Sequence, residues 1–313
     1  MKPEILMMGP MMPHVEAALD DAYTVHRMHE AADRDALVAE IGPRIRGIAT
    51  DGHLGASADL MDRLSGLEVI ACYGVGTDAI DLGHARSKGV VVGNTPGVLN
   101  DDVANLAVAL VLATSRTLVA NDAYVRQGRW TTEGAPPLAR AIRGRKVGIL
   151  GLGRIGKDIA EKLSIFGCEI AYHGRRAQND VSYEYFDDLT AMAAAVDFLI
   201  AICPGGPSTD GIVNAQVLAA LGPEGTFINV ARGSVHDEDA LVAALQSGAL
   251  GMAALDVFTA EPSVPEALLK MDNVILQPHQ GSGTVETRRA MGDLVIENLR
   301  CHFAGEPVKT PVT

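Results

Sequence analysis

Short apolar runs and segments of helical periodicity alternate along nearly the whole chain. Within the helical segments, apolar residues recur three or four positions apart, as they do on the buried face of a helix. Because such alternation is typical of parallel sheets covered by helices on both faces, the pattern predicts an α/β protein. Ten runs are predicted as strands: residues 4–8, 47–50, 67–72, 90–92, 146–150, 168–172, 196–201, 226–230, 252–255 and 273–276. Helices are predicted over residues 35–40, 58–64, 154–166 and 238–246.

Two longer segments interrupt the alternation and indicate how the chain is divided. Residues 100–120 are predicted to form one apolar helix, opened by polar residues that favour helix N-termini, and residues 285–303 are predicted to form another. Ten strands are too many for one small sheet, so the 313 residues are predicted to form two compact units with doubly wound sheets. The first unit is predicted to be discontinuous, comprising residues 1–98 and 285–313. The second, residues 99–284, is inserted between them.

Residues 126–137 differ from the segments around them. They are polar, contain Gly and Pro, and carry Trp130, the single tryptophan of the chain. This composition predicts an exposed arm, and a tryptophan on such an arm favours a contact between subunits. A homodimer is therefore expected.

The charge balance argues against polyanionic partners. The chain has 39 acidic and 26 basic side chains, a formal net charge of −13, and no run of Lys or Arg. Surfaces that bind nucleic acid or anionic membranes normally carry clustered basic residues. We therefore expect neither partner, and any small anion must be bound by a few arginines and backbone amides.

The cysteines and the N-terminus bear on location. The four cysteines are far apart and form no CxxC pair, so neither a zinc site nor a disulfide framework is predicted, and no metal is expected. The chain begins without a signal-peptide pattern, and no apolar stretch approaches about 18 residues. These features predict a cytoplasmic protein without a membrane span.

A glycine-rich turn follows the predicted strand 146–150. Gly151 suits the tight turn, Gly153 lets backbone approach a pyrophosphate, and Gly156 lets the following helix pack close to the strand. The helix N-terminus then offers free N–H groups to the phosphates. Because a strand precedes this GxGxxG motif and a helix and second strand follow it, the motif predicts a dinucleotide site. Leu152, Arg154 and Ile155 complete the turn.

The end of the next predicted strand indicates which dinucleotide is bound. NAD sites place an acid there, which accepts hydrogen bonds from the ribose hydroxyls. Here Gly174 stands near that position and is followed by Arg175 and Arg176. Paired guanidinium groups bind a 2′-phosphate, which a carboxylate would repel. The sequence therefore predicts that NADP(H) is preferred, with NAD(H) as the other possible cofactor.

Three polar segments follow successive strands of the same predicted sheet: residues 229–233, 256–262 and 277–282. They carry Arg232, Glu261 and His279 to the edge where ligands of such sheets collect. An Arg can bind a carboxylate and polarise a carbonyl, a His can donate a proton, and a Glu can hold the imidazole and favour its protonated form. This set of residues is suited to reducing a 2-keto acid.

With these motifs together, the chain resembles the family of D-isomer-specific 2-hydroxyacid dehydrogenases. Within it, the resemblance is greatest to the NADPH-preferring glyoxylate/hydroxypyruvate and hydroxyphenylpyruvate reductases. The resemblance covers essentially the whole chain and includes Gly74-Val75-Gly76-Thr77-Asp78, Asn94-Thr95-Pro96-Gly97-Val98-Leu99 and Asp102-Val103-Ala104. It implies a Rossmann cofactor domain inserted into a flavodoxin-like substrate domain, and a homodimer.

The resemblance also implies site residues. Arg232, Glu261 and His279 match the catalytic arginine, carboxylate and acid/base, and the backbone N–H groups around Val75 and Gly76 match the loop that holds the substrate carboxylate. Asp256 would lie near the nicotinamide carboxamide, and Pro204 would border the cofactor. Ala231 and Gly281 complete the implied cofactor contacts, together with Arg232 and His279.

Some alternatives stay open. Asn105 departs from a common family pattern, which has an acid there. Loops around Met11, Met12, His53, Leu54 and Tyr73 would set the substrate side chain, so small and aromatic keto acids both remain candidates. Formate oxidisers resembling this family carry Gln where Glu261 stands, which argues against formate. A dinucleotide-sensing corepressor is the alternative of a different class. The histidines other than His279, including His236, are predicted to have solvated or packing roles.

Overall fold

The structure, a computed structural model, describes residues 2–312. The chain forms two compact units: Met1–Leu99 together with Thr284–Thr313, and Asn100–Gly283. Each unit contains one sheet in which every strand pair is parallel. The predicted fold class, α/β with doubly wound parallel sheets, is confirmed.

The first unit contains a five-stranded sheet of order β2-β1-β3-β4-β5. This is the order of flavodoxin-like sheets. The strands are β1 (Glu4–Met7), β2 (Thr24–Arg27), β3 (Ile45–Asp51), β4 (Val69–Tyr73) and β5 (Val91–Gly93). The α-helices are α1 (Pro13–Ala22), α2 (Arg34–Ile41), α3 (Ala58–Arg63), α4 (Leu82–Ser87) and α12 (Val285–Phe303).

The sheet of the first unit is buried on both faces. Successive residues of a strand point to opposite faces, so β1 contributes to two cores. Ile5 and Met7 pack in the core that contains Val295 of α12. Leu6 packs in the other core, together with Ile70. Double burial explains why these strands are nearly continuous apolar runs.

The second unit contains a seven-stranded sheet of order β12-β11-β10-β9-β6-β7-β8. The chain order reverses at β6, which lies between β7 and β9, and ligands of doubly wound sheets bind at such reversals. The strands are β6 (Lys146–Leu150), β7 (Glu169–His173), β8 (Glu184–Phe186), β9 (Phe198–Ala201), β10 (Thr226–Asn229), β11 (Met252–Leu255) and β12 (Val274–Leu276). The α-helices are α5 (Asn100–Ser115), α6 (Leu118–Arg126), α7 (Arg129–Glu133), α8 (Arg154–Ile165), α9 (Leu189–Ala195), α10 (Ala215–Leu221) and α11 (Glu238–Ser247).

The single helix predicted over residues 100–120 is wrong at its end. The helix α5 ends at Ser115, whose carbonyl accepts a hydrogen bond from the backbone N–H of Arg140. The chain then turns through Thr117 at φ 47° and begins α6, which has no buried residue. Among residues 2–312 no single helix is long and apolar enough to cross a membrane; the α5–α6 pair, bent by 58°, meets the length and composition test only.

The arm predicted over residues 126–137 contains a short helix, α7. Trp130 on this helix is 62% exposed, and Leu138 just beyond it is fully exposed. Leu118, Val119 and Val125 of α6 are also more than half exposed. The region from α6 to Leu138, named here the arm, thus presents several large apolar side chains to solvent.

Candidate active site

The three predicted catalytic residues lie in the loops that follow three adjacent strands of the second unit. Arg232 follows β10, Glu261 follows β11, and His279 follows β12. Backbone hydrogen bonds continue past the strand ends: the N–H of Asp256 donates to the carbonyl of Asn229, and the N–H of His279 donates to the carbonyl of Asp256, both at 2.9 Å. The loops that carry the three side chains therefore start from a common, rigid edge.

Glu261 and His279 form a direct pair. Nδ1 of His279 lies 2.8 Å from Oε2 of Glu261, and Oε1 of the same carboxylate accepts the backbone N–H of Phe258 at 3.0 Å. The side chain of Glu261 is 19% exposed and that of His279 is 31% exposed. Because Nδ1 faces the carboxylate, it is the donor in this pair, and Nε2 lies on the opposite side of the ring.

Asp256 supports the turn that carries His279. Its carboxylate is buried and accepts the backbone N–H groups of Gln280 at 2.6 Å and Gly281 at 2.8 Å. Burial raises the pKa of Asp256 above its ordinary value, against the opposing effect of these two N–H groups and of His279. The predicted role of Asp256 near a nicotinamide carboxamide stays a prediction; its observed contacts hold the His279 turn in place.

Arg232 lies on a turn that is tied both to β10 and to the loop after β11. Its Nη1 donates to the carbonyl of Ala231 at 2.7 Å. At Gly233, a Cβ atom would lie 2.0 Å from the carbonyl carbon of Phe258, so only glycine allows the two loops to approach this closely. Arg232 itself is half-buried.

The glycine-rich turn has the geometry that a dinucleotide requires. Gly151 has φ 102°, and a Cβ there would lie 2.8 Å from Cα of Cys203. A Cβ at Gly156 would lie 2.3 Å from the carbonyl oxygen of Gly151, whereas a Cβ at Gly153 would have nothing within 4 Å. Gly153 is the N-cap residue of α8 and has no side chain, so it cannot accept hydrogen bonds from the first N–H groups of this helix. The turn therefore fits a pyrophosphate, at Gly153 above all.

The three intervening residues of this turn differ in environment. Leu152 is buried, Ile155 is half-buried and Arg154 is exposed. Pro204, which follows the buried Cys203 after β9, is also exposed. Cys203 itself packs against Gly151, and burial raises the pKa of its thiol to about 11. The thiol is therefore protonated near neutral pH.

The loop after β7 presents the two predicted phosphate-binding arginines. Arg175 and Arg176 are exposed, and no atom lies within 4 Å of a Cβ built at Gly174. Tyr185 of β8 donates its hydroxyl hydrogen to the carbonyl of Gly174 at 3.2 Å. The side-chain position at Gly174 therefore faces free space, while the backbone of Gly174 is held by the hydrogen bond from Tyr185.

Gln178 ties the far end of this loop to the glycine-rich turn, a role that sequence reasoning missed. Its side-chain Nε2 donates to the carbonyl of Leu152 at 2.7 Å, and its backbone N–H donates to the hydroxyl of Tyr172 at 2.7 Å. Lys157 of α8 adds an ion pair with Asp180. No local sequence signal could have found these contacts, because the partners are 6 to 26 residues apart.

In the first unit, the loop after β4 is held by the segment that follows β5. The N–H of Thr95 donates to the carbonyl of Gly74 at 2.9 Å, and Nδ2 of Asn94 donates to the carbonyl of Val75 at 2.8 Å. In a trans peptide the N–H of the next residue points away from the carbonyl. The N–H groups of Val75 and Gly76 are therefore turned away from the β5 side.

The residues proposed for the substrate side chain lie in the first unit with different exposures. Met11, Met12 and Tyr73 are partly buried against the core of that unit. The Tyr73 hydroxyl donates to the carbonyl of Arg288 at 2.7 Å, and burial raises its pKa. Leu54 is 45% exposed and His53 is exposed.

Asn105, which departs from the common family pattern, has a local partner. Its Nδ2 donates to Asp101 at 3.0 Å on the same helix, one turn away. Asp101 also pairs with Lys162 of α8 at 2.7 Å, and these contacts lower the pKa of Asp101. An acid at position 105 would face Asp101 as a like charge, so Asn suits this pairing.

Comparisons with known proteins give a consistent family. The sequence profile described as D-isomer specific 2-hydroxyacid dehydrogenase, NAD binding domain, matches residues 108–281. Hydroxyphenylpyruvate reductase of Plectranthus scutellarioides is 45% identical over 309 residues, with 98% of each chain covered. 2-Ketogluconate reductase of Gluconobacter oxydans is 42% identical over 311 residues, with 99% of each chain covered.

A solved structure extends the comparison to three dimensions. NADPH-dependent glyoxylate/hydroxypyruvate reductase of Sinorhizobium meliloti, in complex with NADP and malonate, is 47% identical. The match covers 100% of this chain and 97% of that chain, with a TM-score of 0.93. The similarity therefore includes both units and is not confined to the glycine-rich motif.

Proposed function

Because the chain belongs to the D-isomer specific 2-hydroxyacid dehydrogenase family, we propose that it reduces small 2-keto acids to D-2-hydroxy acids with NADPH. Glyoxylate and hydroxypyruvate are the proposed substrates. The observation that supports this most strongly is the His279–Glu261 pair, whose Nδ1···Oε2 distance is 2.8 Å, on strand ends next to that of Arg232. An imidazole held in this way is suited to proton transfer.

The proposed mechanism assigns each of the three residues a task. The guanidinium of Arg232 binds the keto-acid carboxylate and polarises the carbonyl. Nε2 of His279 donates a proton to the carbonyl oxygen as negative charge develops on it. Glu261 accepts the Nδ1–H of His279 and keeps the ring oriented. Together with a hydride added to the carbonyl carbon, this proton converts the C=O group of the substrate into the CH–OH group of the product.

When bound, NADPH supplies the hydride that the carbonyl carbon accepts. Gly151, Gly153 and Gly156 would hold its pyrophosphate, and Arg175 and Arg176 would bind its 2′-phosphate. The preference for NADPH is supported by the absence of an acid at Gly174 and by the NADP in the S. meliloti relative. Further proposed cofactor contacts are Leu152, Arg154, Ile155, Gly174, Pro204, Ala231, Arg232, Asp256, His279 and Gly281.

We further propose that the discontinuous unit binds the substrate carboxylate. In its loop, the N–H groups of Val75 and Gly76 have no backbone acceptor among residues 2–312, while the carbonyls of Gly74 and Val75 accept from Thr95 and Asn94, respectively. Such backbone N–H groups are a common means of binding anions. The inserted unit is proposed to bind NADP(H).

A panel of 2-keto acids tests the function directly. The rate of NADPH oxidation would be measured with glyoxylate, hydroxypyruvate, hydroxyphenylpyruvate and 2-ketogluconate, and the product configuration by chiral chromatography. We expect turnover with at least one of the first two, giving the D-isomer where C2 of the product is a stereocentre. Negligible turnover with all four would instead favour a dinucleotide-sensing binding protein.

A reductase of aromatic keto acids is the second candidate. The relative at 45% identity is a hydroxyphenylpyruvate reductase, and the partly buried Met11 and Met12 are flexible apolar side chains that can contact a ring. A kcat/KM for hydroxyphenylpyruvate above that for hydroxypyruvate would favour this candidate.

Assembly and location are also proposed. The exposed apolar side chains of the arm support a homodimer in which the arm is covered by a second copy. All four cysteines are buried and none forms a disulfide with another, which suits a reducing compartment such as the cytoplasm.

A further inference from the structure

His236 lies four residues after Arg232 and is among the most buried polar residues of the second unit, at 3% exposure. Its ring packs 5.7 Å from that of Phe227 on β10. Its backbone forms an isolated parallel bridge with Val213. A buried imidazole in this position needs a hydrogen-bonding partner, and only one is found among residues 2–312.

That partner is Asn229, and its own contacts determine which atom of each group donates. Oδ1 of Asn229 accepts the N–H of Ala231 at 2.9 Å, so Nδ2 faces the other way. One hydrogen of Nδ2 is directed at the carbonyl of Arg232, 2.9 Å away, and Nδ1 of His236 lies 3.0 Å from the same nitrogen. An acceptor nitrogen carries no proton, so His236 is neutral with its hydrogen on Nε2.

Burial agrees with a neutral ring. Nε2 of His236 is buried and has no hydrogen-bonding partner within residues 2–312, so the contacts of Asn229 alone assign the tautomer. Burial lowers the pKa of His236 to about 4, with the neighbouring Asp237 acting in the opposite direction. Near neutral pH the ring therefore stays neutral, and Nδ1 remains an acceptor.

Asn229 in turn holds both ends of the Ala231–Arg232 peptide segment. Its amide accepts from the N–H of Ala231 and donates to the carbonyl of Arg232, which also accepts the N–H of Val235 at 3.1 Å. If Nδ1 of His236 is removed, one hydrogen of this buried amide loses its acceptor. The amide must then stay unsatisfied or rotate, and rotation would place its oxygen against the carbonyl of Arg232.

We propose that His236 is a positioning residue for Arg232. Its unprotonated Nδ1 holds the Asn229 amide, and the amide holds the Arg232 turn in the orientation used to bind the keto-acid carboxylate. The inference rests on the proposed function for this last step only. The tautomer of His236 and the orientation of Asn229 are properties of the protein without substrate.

Three substitutions separate the Nδ1 acceptor from simple filling of space. Oδ1 of an Asn can take the place of Nδ1 of a His, whereas Oε1 of a Gln takes the place of Nε2. In His236→Gln and His236→Leu we expect the KM for glyoxylate or hydroxypyruvate, whichever the wild type reduces, to rise about 10-fold, the worth of one hydrogen bond. In His236→Asn we expect the KM within about threefold of the wild type.

Other patterns of KM would overturn the inference. An unchanged KM in His236→Leu contradicts it, and so does an equal loss in all three variants that parallels their loss of thermal stability. The second result would make His236 a packing residue only, because Asn and Gln differ in where they place the acceptor.

Nitrogen-15 NMR of the imidazole in the substrate-free protein gives an independent readout. We expect His236 as the Nε2–H tautomer at pH 7.5, and in His236→Leu a changed side-chain amide signal of Asn229. A proton on Nδ1 would overturn the inference whatever the kinetics show. If the wild type reduces no keto acid, the proposed function fails, and the tautomer alone then decides the inference.

Discussion

His279 holds a left-handed backbone conformation, φ 53°, which residues other than glycine seldom adopt. Such a conformation costs on the order of 1 kcal/mol and persists only where neighbouring groups enforce it. Here Asp256 enforces it, because its carbonyl accepts the N–H of His279 and its carboxylate accepts the next two N–H groups. Strain concentrated at this residue is consistent with a functional site, where an imidazole must be aimed in one direction.

Removing the imidazole tests the proposed acid. In His279→Ala we expect kcat for keto-acid reduction to fall by about 10²–10⁴-fold, the usual contribution of a positioned acid or base. The Kd for NADPH, measured by fluorescence titration, should change much less, since Gly151, Gly153 and Gly156 are untouched. His84→Ala is the control, because His84 pairs with Asp62 near the surface of the other unit. Equal kcat in the two variants would remove His279 from the mechanism.

The two arginines after β7 can be tested as a pair. In Arg175→Ala/Arg176→Ala we expect kcat/KM with NADPH to fall by about 10–100-fold, because charge-assisted hydrogen bonds to the 2′-phosphate are lost. With NADH, which has no such phosphate, kcat/KM should stay within about threefold. Lys270→Ala removes an exposed positive charge elsewhere in the same unit and serves as the control. A parallel loss with both cofactors would contradict the assignment.

At the scale of elements, the glycine-rich turn brings β6, α8 and the end of β9 together. Two of its glycines allow close packing: Gly156 packs α8 against the carbonyl of Gly151, and Gly151 packs against Cys203. Gly153 has free space around it instead. The three glycines of one motif therefore serve two different physical purposes.

Single methyl groups distinguish these purposes. In Gly156→Ala the Cβ would lie 2.3 Å from a carbonyl oxygen, so we expect the free energy of unfolding to fall by about 1–3 kcal/mol, measured in urea. In Gly153→Ala no atom is nearby, so we expect unchanged stability and a Kd for NADPH raised at least about 10-fold, because the methyl group occupies the phosphate space. Unchanged NADPH binding in Gly153→Ala would mean that the cofactor lies elsewhere.

At the scale of the whole molecule, stability in acid should depend on His236. An unfolded histidine has a pKa near 6.5, whereas burial lowers the pKa of folded His236 to about 4. The unfolded chain thus binds the proton more readily, so stability is lost as the pH falls from about 6.5 to about 4. Between pH 7.5 and 5 we expect the wild type to lose about 2 kcal/mol more than His236→Asn, measured by urea unfolding. Equal losses would show that His236 is protonated as easily in the folded protein as in the unfolded chain.

Assembly is the other property of the whole molecule. We expect light scattering to give a mass of about twice the 32.9 kDa of the chain, because a second copy covers the apolar arm. In Trp130→Glu/Leu138→Glu, charges on the arm should give a single-chain mass at micromolar concentration. Leu269→Glu introduces a charge at another exposed leucine of the same unit and should stay dimeric. A dimer that survives the double substitution would place the interface away from the arm.

Much of this protein could be derived from local patterns. All ten predicted strands are present, within about two residues at each end, because buried parallel strands are apolar on both faces and stand out from their surroundings. The two strands that were missed, β2 and β8, lie at the edges of their sheets and contain polar residues such as His26 and Glu184. The glycine-rich turn and the loops bearing Arg232, Glu261 and His279 were recognisable because each directly follows one of these apolar strands.

Contacts between distant residues were decided by the tertiary structure. Sequence placed His279 and Glu261 on neighbouring strand ends, but only the fold sets the 2.8 Å contact between them and the left-handed turn that aims the ring. In the same way, α5 ends at Ser115, whose carbonyl accepts the N–H of the distant Arg140, and the buried His236 contacts Asn229 and Phe227. Apolar periodicity reports which face of an element is buried. It carries no information about which polar group will be buried beside which, and at this site the proposed chemistry depends on those polar pairings.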